Sequence, residues 1–209
     1  IDWDDPAWTK TNMNNSVYVW DHFNSRSATY INGVSNNGGS QYIASSQAFA
    51  VQANAASPEL TATEAVKSAT DHTYWRKAGN SPNVLRLELI GNGYGDQTTI
   101  VFDETSLTGF ESSRDARKMA NFEPAPNFSS FMEGEDYAIN SLPYFTELVI
   151  PLKTIVTSSG NYSIKVVDVP GLIDCIYLND KLTGAATDLT AQSNYDFYLA
   201  DTTLSPRFE

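Results

Sequence analysis

The stretch Val84-Leu85-Arg86-Leu87-Glu88-Leu89-Ile90 places Leu85, Leu87 and Leu89 on one side of an extended chain and Arg86 and Glu88 on the other. Successive side chains of a strand point to opposite faces, so a period of two marks a strand with one face in a core. Similar short runs follow along the chain: Ser16–Trp20, Ala48–Ala53, Glu59–Thr63, Thr98–Phe102, Ser129–Met132, Tyr137–Asn140, Glu147–Pro151, Tyr162–Val167, Cys175–Asn179 and Tyr195–Leu199. Gly91-Asn92-Gly93-Tyr94-Gly95 joins two of them as a hairpin whose loop reads as longer than the tightest two-residue kind. Asn32 to Ser40 is rich in Gly and Asn and reads as a loop, and Ser112 to Ala120, the one helix-like piece, reads as a turn or loop segment. Short strands at this spacing predict an all-β fold, an antiparallel β-sandwich of immunoglobulin-like or jelly-roll type.

A chain of 209 residues suits one large β-domain or two small ones. Ala78-Gly79-Asn80-Ser81-Pro82 has linker composition. It divides a Trp- and Asn-rich module, residues 1–78, from the regular β-run of residues 79–209. No internal repeat relates the two parts.

Charged residues are only 18% of the chain, and the polar surface is carried by Asn, Ser and Thr, which suit strands and turns better than helix interiors. The formal net charge of −12 argues against a nucleic-acid partner, which needs a basic stripe, and against an anionic membrane surface. It is compatible with divalent cations, neutral glycans or basic surfaces. No apolar run approaches the roughly 20 residues of a membrane-crossing helix. Cys175 is the only cysteine, which excludes an intrachain disulfide. Its apolar setting, Leu172 to Leu178, predicts a small buried hydrophobe.

Catalytic constellations are scarce. His22 and His72 are the only histidines, and no Gly-x-Ser-x-Gly elbow occurs. Two distant histidines and one cysteine give no zinc cluster. A carboxylate pair for glycoside hydrolysis is the one catalytic alternative left open by so many acids. Oxygen-rich loops bind calcium in extracellular β-domains. Asp2, Asp4 and Asp5 lie close in sequence, and Asp96, Asp103 and Asp115, the candidate metal ligands, flank one hairpin with Glu104; no loop matches the Asp-x-Asp-x-Asp-Gly pattern, so solvated acids are the first reading and a calcium site the alternative. Aromatic rings stack on sugar faces at little entropic cost. Trp3, Trp8, Tyr30 and Trp75 are the candidate ligand-binding rings of the first module, with Trp20, Tyr18, Tyr42 and Tyr74 nearby. Tyr18 and Trp20 share a strand face and read as core, whereas Trp3 and Trp8, in the loop from Ile1 to Trp8, read as exposed.

Several segments resemble a region that precedes the sorting signal in surface and secreted proteins of the type IX secretion pathway of Bacteroidetes-type bacteria. Ile1-Asp2-Trp3-Asp4 looks like the family's "IDWD", and Tyr42 to Val51 looks like "YIxPGQxFFV", with Ser45-Ser46 where the family has Pro-Gly. Tyr74-Trp75-Arg76-Lys77 is similar to "FxRK". Asp96 to Phe102, with Thr108-Gly109-Phe110-Glu111 and Arg114 to Lys118, resembles "DETVVRF…ATxGFDxxYDAxK". Tyr137 to Pro143 is close to "YAINALP", and Tyr177 to Gly184 with Thr187-Asp188-Leu189 is close to "YLEDKxTGxxTDL".

The resemblance implies export, display at the bacterial cell surface or release, and a β-sandwich within a larger protein. It implies no activity. The chain starts without Met, and it reads as a piece of a longer protein whose first module has lost an opening strand. An edge left open in that way would be filled by a neighbouring domain or another copy. The expected function is a non-catalytic structural or adhesive module of an exported protein. The alternative is a carbohydrate-binding accessory of a secreted polysaccharide-degrading enzyme. A glycan or another surface protein is the expected partner.

Overall fold

A computed structural model describes residues 1–68, 83–145, 147–171, 173, 175–200 and 205–209. The described residues form an all-β sandwich of sixteen strands, with a single 3-10 turn at Glu64–Val66. The linker reading and the 78/79 boundary fall outside the described residues, as do His72, Tyr74, Trp75, Arg76 and Lys77.

The first strands are β1 (Trp8–Thr11), β2 (Met13–Asp21), β3 (Arg26–Ile31), β4 (Val34–Asn36), β5 (Ala50–Ala53) and β6 (Glu59–Ala62). β1 pairs with β6, and the other four form a sheet in the order β4-β3-β2-β5. β7 (Val84–Gly91), β8 (Tyr94–Phe102), β9 (Ala116–Arg117), β10 (Asn127–Met132), β11 (Glu135–Leu142) and β12 (Leu152–Ile155) follow, then β13 (Gly160–Asp168), β14 (Tyr177–Asp180), β15 (Ala185–Asp188) and β16 (Asn194–Leu199). The large sheet runs β12-β10-β11-β8-β7-β13-β16, with β9 added beside β11. Its pairs are antiparallel except β11 with β8, which run parallel from Ile139 beside Thr99 to Leu142 beside Phe102.

The alternation of β7 explains both layers. Leu85, Leu87 and Leu89 point into a core with Ile100, Phe128, Leu142, Ile164, Phe197 and Phe208. Each fully buried aliphatic side chain contributes about 1.5–3 kcal/mol. The opposite face of the sheet carries the N-terminal sheet, and Tyr18 and Ile31 pack there against Ala116 and Ile139. Arg86 therefore faces the other layer, and its Nη2 donates to Ser35 O at 2.9 Å. The chain end closes the curl of the large sheet. Leu152 N donates to Phe208 O at 2.8 Å, and Lys181 N donates to Arg207 O at 3.0 Å. This pairing covers the edge that β12 would otherwise expose.

The β7–β8 hairpin is tighter than expected. Gly91 pairs with Tyr94 directly, and the two turn residues, Asn92 and Gly93, have φ of 52° and 82°. That is a two-residue turn with both residues left-handed, the geometry that Asn-Gly favours. Gly91 is fixed by packing, since a Cβ there would lie 2.1 Å from the Tyr162 ring.

Three other expectations are corrected. The Asn32–Ser40 loop contains β4, a strand that pairs with β3 and is tied to the other layer by the Asn36 amide. Glu147–Pro151 is not a strand: Pro151 lacks an N–H, and the ladder starts at Leu152 while Leu148 and Ile150 pack on the core. Cys175 is exposed, because it lies ahead of β14 and outside the ladder. A turn forms at Asp180 to Gly184, with Gly184 N donating to Asp180 O at 2.8 Å. β11 ends immediately before Pro143, which has no N–H to give the ladder.

Candidate functional site

The N-terminal rings turn inward. Trp3 is 0% exposed, which corrects the expectation that the opening loop would present it to solvent. Its indole N–H donates to Asn15 O at 2.7 Å, so the ring is buried without leaving a polar atom unpaired. Trp8 lies 5.2 Å from it, centroid to centroid, and donates its indole N–H to Asp2 O at 2.7 Å. Lys10 Nζ sits 3.8 Å from the Trp3 centroid and donates to Trp3 O at 2.9 Å and Asn15 Oδ1 at 2.8 Å. Burial lowers the Lys10 pKa, although Asp4 and Asp2 oppose this. Tyr30 is also buried, against the expectation of a ligand-binding ring. Its hydroxyl donates to the Asp4 carboxylate and accepts from Gly33 N at 2.7 Å. Burial, then the contact with Asp4, pushes the Tyr30 pKa well above its ordinary value. Trp75 lies outside the described residues. Trp3 and Tyr30 thus share one small core with Val17 and Ile43, and Trp8, partly buried, packs against it.

The three candidate metal ligands occupy separate places. Asp96 is 0% exposed. Its carboxylate lies 2.9 Å from Lys118 Nζ and accepts from Phe128 N and the Asn37 amide, each at 2.7 Å. Asp115 is 1% exposed and accepts from Ser141 N and Glu111 N, each at 2.7 Å. Burial outweighs those two bonds and pushes its pKa up to about 6. Asp103 lies at the surface, accepts from Thr105 N at 2.8 Å and Thr105 Oγ1 at 2.7 Å, and sits 3.1 Å from Arg114. The Thr105 bonds lower its pKa. The structure does not bring these three acids together, and among the described residues no group of three His, Cys, Asp or Glu side chains is arranged to hold a metal ion.

Asp96 belongs to a polar seam between the two layers. Asn36 Nδ2 donates to Gln97 O at 2.8 Å, Asn37 N donates to Gln97 Oε1 at 3.0 Å, and Gln97 N donates back to Asn37 Oδ1 at 3.0 Å. Thr99 Oγ1 donates to Asn36 Oδ1 at 2.9 Å. A second buried tie joins Asp180 to Arg207 in a two-pronged pair, at 2.7 Å from Nε and 2.5 Å from Nη2, with Tyr195 OH adding 3.0 Å. Burial disfavours the Asp180 charge, but hydrogen bonds from Arg207, Leu182 N, Tyr195 and Thr183 outweigh it and hold the carboxyl well below the ordinary range. Nothing in the residues around Asp180 signals this partner, which lies 27 residues away.

The exposed rings are elsewhere. Phe23, in the β2–β3 turn, is 85% exposed, and Phe122 is 70% exposed. Phe122 meets Trp20 edge-on at 5.0 Å, and His22 meets Phe23 at 6.0 Å. Both ends are held from behind. Asp21 accepts from Phe23 N at 3.1 Å, Asn24 N at 3.2 Å and the Asn24 amide at 2.6 Å. Asn121 accepts from Ser27 N at 2.9 Å and donates to Pro126 O at 2.8 Å. The sequence signal was the run Trp20-Asp21-His22-Phe23-Asn24, whose polar residues suit a turn that lifts a ring outward.

No helix among the described residues is long and apolar enough to cross a membrane. No curated protein and no solved structure matches the chain significantly. The profile of a family described as "Domain of unknown function (DUF8693)" matches residues 3–209. That span is nearly the whole chain, and the chain belongs to this family.

Proposed function

We propose that this chain is a non-catalytic module of a larger exported protein and serves as a structural or adhesive unit at the bacterial cell surface. The observation that carries the reading is the use made of its buried acids. Asp96 joins the seam between the layers, Asp115 ties the segment around Glu111 to β11, and Asp180 holds the end of the chain. Asp96 and Asp180, each held by a buried cation and by further hydrogen-bond donors, are poor general acids or nucleophiles, and Asp115, at 1% exposure, is closed off from a substrate. The resemblance to the region preceding type IX sorting signals supports the export route.

The test is a turnover screen of the purified chain against plant and microbial polysaccharides and a peptide library. The expected result is no enzyme-dependent release of reducing ends or free amines. Saturable release from any substrate, abolished by substituting a single carboxylate, would overturn the reading.

A further inference from the structure

Trp20 on β2, His22 two residues on, the adjoining Phe23 and the facing Phe122 place four aromatic side chains at one end of the N-terminal sheet. The two outermost rings are the most exposed, at 85% and 70%, and Met119 beside this segment is also exposed. We propose that this row is a contact site for a neutral polysaccharide. The inference gives the adhesive role proposed above its ligand class and rests on that role.

Two features favour this occupant. The first is rigidity. Asp21 fixes the turn that carries Phe23, and Asn121 fixes the backbone next to Phe122. A backbone fixed before binding leaves little main-chain entropy to lose when a ligand stacks on the rings it carries. The second is charge. The basic groups bordering the row are paired internally: Arg26 reaches Gly95 O at 3.0 Å and Glu88 at 3.4 Å, and lies 3.7 Å from Asp21. Lys118 is held by Asp96. What remains at the surface is aromatic faces, an imidazole, the side chain of Asn24 and the exposed Glu123 carboxylate beside Phe122, an acceptor for hydroxyls. That set matches a ligand with apolar C–H faces and uncharged hydroxyls. The net charge of −12 repels an anionic polymer.

The experiment is affinity electrophoresis of the full chain in gels containing hydroxyethylcellulose, xylan, mixed-linkage glucan, mannan or soluble starch, with alginate as the anionic comparison. Phe23→Ala, Phe122→Ala and the double variant are run beside the parent, with melting curves. The rings are exposed, so all three variants should melt like the parent, and the single variants keep the comparison if the double does not. The expected result is retardation by at least one neutral polymer, weakened about tenfold in the double variant, the loss corresponding to one good stacking contact. The proposal is overturned if no neutral polymer retards the chain, if the variants bind like the parent, or if alginate retards it most. Reducing ends are measured in the same mixtures. Cleavage would defeat the non-catalytic role, whereas a chain that neither binds nor cuts would defeat only the glycan contact.

Discussion

Asp115 makes the stability of this fold depend on pH in an unusual direction. Most carboxylates in proteins are stabilised as charges, and acid weakens the fold. Asp115 is almost fully buried, and burial raises its pKa from 3.8 to about 6. The folded state therefore binds this proton more tightly than the unfolded state. Its stabilising effect is complete below the unfolded value near 3.8, fades as pH rises toward 6, and is gone above that. Integrating the two titrations between pH 7 and pH 5 gives a gain of about 1.4 kcal/mol on acidification. Urea unfolding followed by tryptophan fluorescence at pH 5, 6 and 7 measures it. Relief of self-repulsion among the other acids also favours the fold at lower pH, so the control is Asp115→Asn, which shares that background. The variant loses stability at every pH, by about 1–3 kcal/mol, because one carboxylate oxygen is replaced by an amide donor facing a backbone N–H. Its pH slope between 5 and 7 is shallower than the parent's by about 1.4 kcal/mol. If parent and variant show the same slope, the Asp115 carboxyl is not the group that titrates and the reasoning fails.

Other outcomes follow from the same geometry. Asp180→Ala leaves the Arg207 guanidinium buried without its partner and lowers stability by about 3–5 kcal/mol in urea melts. A loss below 1 kcal/mol on the order of a surface pair would refute the buried tie. Because the Asp180 pKa is depressed, its contribution is present above the unfolded carboxyl value and is lost as pH falls below it, so the stability gap between the parent and Asp180→Ala narrows from pH 5 to pH 3. Trp3→Ala removes a fully buried ring and costs about 3–5 kcal/mol, whereas Phe23→Ala leaves the melting temperature unchanged. The exposed Cys175 reacts with a thiol reagent in the native state as fast as in urea, and protection in the native state would contradict its placement.

The sequence was legible where burial and periodicity coincide. The Leu85, Leu87 and Leu89 alternation located β7 and its core face because apolar burial leaves a direct mark on the order of residues. β4 left no such mark. Its Asn36 is buried by hydrogen bonds to Gln97 O and Thr99, partners more than 60 residues away, so a strand reads as a turn-forming segment. Trp3 was misplaced for a related reason. A loop is drawn inward by long-range pairing, here Trp3 N to Gln41 O at 2.8 Å and Ile43 N to Ile1 O at 2.9 Å, and local composition does not encode those partners. The aspartates were grouped by their nearness around one hairpin, but each side chain points to a different neighbour. The exposed row at Trp20 was half visible, since its turn residues stand in sequence, while Phe122 comes from the segment ahead of β10.

The account rests on display outside the cell, and the most direct measurement is surface labelling of intact cells of the organism that encodes the chain. An antibody raised against the purified module, with mild external protease as a second probe, gives the readout. The account predicts labelling of unpermeabilised cells or recovery from the medium, with loss of the cell-bound signal after protease treatment. Signal that appears only after permeabilisation, and that resists external protease, would contradict it.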